Sequence, residues 1–210
     1  DLVPLVLVGT SAMVLATHSG SEYKTFADVI NAAKARKNVS FGSIGNGSLG
    51  HLSMALLAKD AGVEWTHVPY KSTGLSIYAT TAGETPIGLG GIFAVKSLAE
   101  VGKLRPLAVT SSKRVDWLPN VPTFEEEGIK LPLRTWFGYH YQAGIPKEIV
   151  VRMNAEMRKV LDSPAFRAQI FDPNYVTANT GSPEQFDAFI REQTRQVREL
   201  VSSIGIKPEE

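Results

Sequence analysis

Residues 39–54 read VSFGSIGNGSLGHLSM and place Gly45-x-Gly47-x-x-Gly50 between a short apolar run and an apolar-periodic segment. Glycines at this spacing ahead of a helix form an anion cradle. The first helical turn presents unpaired N–H groups and a partial positive charge, and glycine lets the anion approach the backbone. Three readings are open: a dinucleotide pyrophosphate, a smaller anion, or a tight turn without a ligand. The dinucleotide reading also requires an acid about 20 residues further on, at a strand tip, to hold the ribose. Val68-Pro69-Tyr70-Lys71 stands there, with no carboxylate. Asn46 and Ser48 also bring side-chain hydrogen-bonding groups where a pyrophosphate site uses backbone alone. An NAD(P)-dependent enzyme on these glycines is therefore the alternative reading.

Other chemistries fit less well. A nucleophile elbow is G-x-S-x-G, but the residues around Ser48 are Asn46-Gly47-Ser48-Leu49-Gly50, so its first glycine is missing. Ser48 reads more economically as a helix N-cap, and His51, three residues on, as a polar lining residue rather than a general base. His18, His51, His67 and His140 show no metal-ligand spacing with carboxylates, and no Walker A sequence occurs. With no cysteine in the chain, disulfides, thiolate nucleophiles and cysteine-ligated metals are excluded. No metal or cofactor is expected. Trp136-Phe137-Gly138 admits two readings, a strand glycine that lets a ligand approach or an aromatic core strand. Tyr70, at a strand end, has the same two readings.

The 210 residues suffice for one good-sized core or two small ones. They are 43% hydrophobic and 20% charged, with net charge +1. A nucleic-acid surface wants a concentrated basic face. Here the densest basic cluster is Lys34, Arg36 and Lys37, which reads as a solvated helix face. No run approaches the roughly 18 apolar residues that span a bilayer, and the N-terminus does not resemble a signal peptide. The abrupt apolar start after Asp1, LVPLVLVG, suggests a segment of a longer protein.

The elements that must position the loop follow from periodicity and punctuation. Leu5–Val8 and Met13–Ala16 read as strands around a break at Gly9-Thr10-Ser11. Thr25 and Asp28 form a capping box ahead of a helix with Phe26, Val29, Ile30 and Ala33 inward. Val39–Phe41 reads as strand and Ser48 onward as helix, stopped by Gly62. Strands over Val63–Tyr70, Pro86–Ile92 and Arg105–Thr110 alternate with helices over Gly74–Thr81 and Val95–Glu100. Such alternation predicts a parallel sheet with helices on both faces. After a polar, proline-bearing stretch, Thr123-x-x-Glu126 caps a short helix ending at Gly128, and Arg134–Gln142 is an aromatic strand. Helices then open at Pro146, Ser163-Pro164 and Ser182-Pro183-x-x-Gln185. The last carries Phe186, Phe189, Ile190, Val197 and Leu200 inward.

Several stretches together resemble one family, the periplasmic substrate-binding proteins of tripartite tricarboxylate transporters (the TctC or Bug group). They are Val3-Pro4 with Leu7-Val8-Gly9-Thr10-Ser11, Phe41-Gly42-Ser43 with Gly45-Asn46-Gly47-Ser48 and His51, and His67-Val68-Pro69-Tyr70-Lys71. Residues 102–111, GKLRPLAVTS, follow, then Leu118-Pro119-x-Val121-Pro122-Thr123, Trp136-x-Gly138 and Ala143-Gly144-x-Pro146. The resemblance implies an α/β, type II periplasmic-binding-protein (Venus-flytrap) fold that closes by hinge motion on a small di- or tricarboxylate. Residues 12–112 would form one complete α/β lobe. Residues 1–11 and 113–210 would supply hinge strands and the C-terminal part of the other lobe, whose N-terminal part is absent. It further implies a non-enzymatic periplasmic receptor that serves membrane transporter subunits. The ligand would be held by Ser43, Asn46, Gly47, Ser48 and His51, with Ser11, Tyr70 and Trp136 as further candidates. The usual acid of the fourth strand is missing from residues 83–92, GETPIGLGGI, which favours a plain carboxylate over an amino acid. Strand edges and apolar surface left without the missing part make self-association a further expectation.

Overall fold

The structure, a computed structural model, describes residues 2–35 and 37–206. Arg36 of the basic cluster, Asp1 and residues 207–210 lie outside the described residues. The chain divides into two compact units. One comprises residues 12–133 with 199–210, the other residues 1–11 with 134–198.

The larger unit holds a five-stranded sheet of order β4-β3-β5-β2-β6. Its strands are β2 (Met13–His18), β3 (Ser40–Ser43), β4 (Thr66–Pro69), β5 (Ile87–Gly91) and β6 (Leu104–Val109). The sheet is mixed. β3 runs parallel to β4 and β5, but β2 lies antiparallel between β5 and β6. The expected all-parallel sheet fails at that point because β2, first in this unit, enters between two later strands. No local pattern encodes such an insertion.

Helices α1 (Phe26–Lys34), α2 (Leu49–Ala61), α3 (Thr73–Ala82) and α4 (Ile92–Glu100) fill the connections. Thr25 accepts from Asp28 N–H, while the Asp28 carboxylate accepts the Thr25 N–H, which closes the capping box. Gly62 ends α2 in the left-handed conformation at φ 65°, where glycine pays no Cβ penalty. Side chains of a strand alternate between faces, and β3 shows it directly. A Cβ at Gly42 would lie 2.6 Å from the Ser76 hydroxyl on α3. Ser43, its neighbour, faces Gly50 on α2, with 3.4 Å between its Cβ and a Cβ placed there. α2 and α3 therefore cover opposite faces. Val14, Leu15, Phe41, Met54, Leu57, Ile77 and Ile87 are buried between these layers.

Residues 113–133 belong to this unit, not with the C-terminal helices as expected from the sequence. Phe124 N–H donates to Val109 C=O at 2.9 Å, and the Phe124 ring packs 5.7 Å from that of Phe26. The Thr123–Glu126 capping box is present, but it closes a turn rather than a helix.

The smaller unit is built on a sheet of order β7-β1-β8, comprising β1 (Leu2–Ser11), β7 (Thr135–Gln142) and β8 (Thr177–Ala178). β1 is antiparallel to both neighbours. The expected break at Gly9 is instead an irregularity within one long strand. A Cβ at Gly9 would sit 2.5 Å from the Thr177 carbonyl oxygen, so glycine admits β8 there. α5 (Lys147–Leu161) packs Val150 and Leu161 on Leu5, Val6 and Phe171. The Asn154 amide donates to the Leu5 and Gly181 carbonyls at 2.7 and 2.9 Å. α6 (Pro164–Phe166) runs on into a wider turn over Arg167–Phe171, and α7 (Pro183–Ile204) follows, its residues from Glu199 on counting with the larger unit. Ser182 and Gln185 cap α7 reciprocally. No helix among the described residues is long and apolar enough to cross a membrane.

Candidate carboxylate-binding loop

The glycine loop joins β3 to α2 at the end of the sheet where β3 and β4 terminate. Gly45 and Gly47 take positive φ angles of 119° and 71° with nothing near their missing side chains. They are turn formers here, not points of close packing. Ser48 caps α2: its hydroxyl accepts the His51 N–H at 3.2 Å. The first turn of α2 holds no acidic residue, so nothing there opposes an anion at the positive end of the helix.

Beneath the loop lies a polar cluster centred on Ser43, which is only 2% exposed. Its hydroxyl oxygen accepts the Gly45 N–H at 3.2 Å and lies 3.2 Å from the Ser48 hydroxyl. The same oxygen is 2.7 Å from His67 Nε2. The His67 ring stacks on His51 at 4.2 Å between centroids with 9° between planes. On β3, Phe41 stacks on His67 at 4.9 Å. Desolvation, with a smaller contribution from His51, lowers the His67 pKa from its ordinary 6.5 to about 4. The ring is therefore neutral at pH 7. His51 Nδ1 accepts the Gly47 N–H at 3.0 Å, which requires that nitrogen to be unprotonated and places the ring proton on Nε2.

Ser43, Gly47, Ser48 and His51 thus come together on one face, with Asn46 exposed between the two glycines. Two backbone donors expected to face a ligand are already engaged. Gly47 N–H bonds to His51, and Ser48 N–H bonds to Gly45 C=O at 3.3 Å. The loop satisfies itself because glycine turns bring its own acceptors within reach of those groups.

The other candidates lie elsewhere. Tyr70 donates its N–H to Ser43 C=O at 2.8 Å, prolonging the β3–β4 pairing. Its ring, however, borders Gly42 on the α3 face. Ser11 and Trp136 belong to the smaller unit. The Ser11 hydroxyl donates to Tyr175 C=O at 3.4 Å. The Trp136 ring packs edge-on against Phe186 and Phe189 at 5.6 and 5.9 Å. A Cβ at Gly138 would overlap the Phe186 ring, so this glycine receives a core side chain. That is the aromatic-core reading of the Trp136–Gly138 stretch. Among the described residues, no three His, Cys, Asp or Glu side chains gather as a metal site.

His67 is the residue that sequence reasoning missed. No signal in the sequence marks it: only the pairing of Phe41 with His67 across parallel β3 and β4 puts His67 on the face of Phe41 and Ser43.

Comparisons with known proteins bear on the family and the fold. The model of the tripartite tricarboxylate transporter family receptor matches residues 1–206. A UPF0065 protein from the tcbD–tcbE intergenic region of Pseudomonas sp. strain P51 is 31% identical over 96% of this chain and 60% of its own length. The R. palustris protein Rpa4515, solved with adipate, superposes with a TM-score of 0.91 at 29% identity, covering 100% of this chain and 70% of that one. A structure described as a periplasmic transporter gives a TM-score of 0.89 at 25% identity, over 99% of this chain and 69% of that one. The chain therefore spans about three fifths of the length of the Pseudomonas relative. Its fold is that of these binding proteins, and the chain belongs to the tripartite tricarboxylate transporter receptor family.

Proposed function

We propose that the chain carries the Ser43–His51 half of a carboxylate site in an extracytoplasmic solute receptor, which delivers a small di- or tricarboxylate to membrane transporter subunits. The observation that carries the reading is the loop itself. It is a glycine turn at the N-terminus of a thirteen-residue helix, lined by two serine hydroxyls and neutral imidazoles and free of acids in the first helical turn. Charge-assisted hydrogen bonds from N–H and hydroxyl donors are the strong contacts available to a carboxylate. The likeness to Rpa4515, a protein solved with adipate, supports the ligand class. Family membership supports the receptor role and a periplasmic location. Ligand capture then proceeds without covalent chemistry.

The test is a titration of the 210-residue chain with adipate, citrate and NAD, followed by amide NMR. Adipate or citrate is expected to shift the Gly45–His51 amides selectively. Binding of NAD at those amides, with no response to either carboxylate, would overturn the receptor reading.

A further inference from the structure

We infer that His67 is the positioning residue of the carboxylate loop, one imidazole that fixes both of its ends. The inference rests on the receptor reading for the loop's purpose, but not for its geometry. At one end, His67 Nε2 holds the Ser43 hydroxyl at 2.7 Å, and that oxygen in turn receives the Gly45 N–H and adjoins the Ser48 cap. At the other end, its ring lies flat on His51 and sets the plane from which Nδ1 receives the Gly47 N–H. Phe41 also stacks on His67, at 4.9 Å, and lies 6.4 Å from the His51 ring, so the three rings form one cluster. A side chain that merely filled this space would be apolar, because burying an imidazole costs free energy unless its nitrogens are used. Here the shortest polar contact of the cluster goes to a serine that is 2% exposed.

The electrostatics maintain the arrangement. From α2 the titratable group facing His67 is His51, and it disfavours a proton on its partner. From β3 the facing residues are Phe41 and Ser43, neither of which titrates in this range. Tyr70 follows His67 beyond the end of β4, with its ring on the far face. A neutral His67 leaves its Nε2 able to pair with the Ser43 hydroxyl at 2.7 Å, closer than Gly45 C=O and the Ser48 hydroxyl at 3.2 Å each.

The experiment uses the 15N-labelled 210-residue chain without ligand, and two variants. His67→Phe keeps a flat ring on Phe41 and His51 but removes Nε2. His67→Gln restores a polar group near that position. In His67→Phe, Gly45 amide exchange is expected to accelerate about 5- to 10-fold, the effect of losing one net hydrogen bond. His67→Gln should recover most of it. In the unmutated chain, the Gly45 and Gly47 amide signals should move together with the His67 ring signals as the pH is lowered through about 4. This second measurement decides the matter if a variant fails to fold. Unchanged Gly45 and Gly47 exchange in His67→Phe, equal behaviour of Phe and Gln variants, or glycine amides that ignore the His67 titration would overturn the inference. Failure of adipate to bind the unmutated chain would count against the receptor reading alone.

Discussion

Gly138→Ala separates backbone from packing effects in the smaller unit. On backbone grounds the change stabilises, since replacing glycine at an unstrained position restricts the unfolded chain by about 0.4–1 kcal/mol. Gly138 has no positive φ. Packing opposes this. The new methyl would overlap the Phe186 ring, with 2.8 Å to Cε1 and 3.1 Å to Cε2. The ring cannot step aside: Phe186 is 1% exposed, and Trp136 and His140, two residues either side of Gly138 on the same strand face, flank it at 5.6 and 4.9 Å. Overpacking of this kind costs roughly 1–3 kcal/mol, so the net loss is about 1–2 kcal/mol. Near 200 residues that corresponds to a fall in Tm of roughly 2–8 °C, measurable by calorimetry. Adding Phe186→Leu should make the second change less costly than it is alone, with a coupling of about 1 kcal/mol in the double-mutant cycle. A stabilised Gly138→Ala variant, or additive effects of the two changes, would refute the claim that Gly138 exists to receive Phe186.

Two further perturbations bear on the loop. Replacing both Ser48 and Asn46 by alanine should weaken adipate binding in a calorimetric titration and cost about 1 kcal/mol of stability through the lost cap; unchanged affinity would mean that the loop is only structural. Stability should also fall as the pH drops from about 6.5 towards 4, because the unfolded chain binds a proton on His67 that the folded chain excludes. Denaturant melts across that window should show this leg in the unmutated chain and its absence in His67→Gln. Asp28, whose carboxylate is held below its ordinary range first by the Lys24 N–H and then by that of Thr25, adds its own loss only at lower pH.

Features decided by near neighbours along the chain are legible in the sequence itself. The Thr25–Asp28 box, the Ser48 cap, the Gly62 stop and the Ser182–Gln185 box each depend on residues within four positions. Features decided across the fold are not. Gly9 is glycine because of the Thr177 carbonyl, and Gly138 because of Phe186. Nothing near either glycine in sequence announces its partner. The antiparallel insertion of β2 is likewise a property of sheet order, which hydrophobic periodicity does not carry. The two-residue β8 is too short to give an alternation at all. The loop lies between these cases. Its glycines, serine cap and helix start are readable, whereas His67 joins the cluster only through the pairing of β3 with β4. A lone histidine gives no sign of the serine it will meet.

The engaged state of the loop changes what ligand selection means here. An empty cradle of N–H groups would accept any hydrogen-bond acceptor, charged or not. In this loop the Gly45, Gly47 and Ser48 N–H groups already hold Ser43, His51 and Gly45 acceptors at 3.0–3.3 Å. A ligand must therefore exchange for them. A neutral acceptor replaces one bond worth about 1 kcal/mol with another of the same worth, and gains nothing for its lost freedom. A carboxylate exchanges it for a charge-assisted bond worth about 1.5–3 kcal/mol. Each exchanged donor then favours the anion by roughly 1 kcal/mol, about fivefold, and two or three donors multiply the discrimination. On the receptor reading, a loop satisfied without its ligand would select for charge, and His67, which contacts the Ser43 hydroxyl and stacks on His51, would share in that selection.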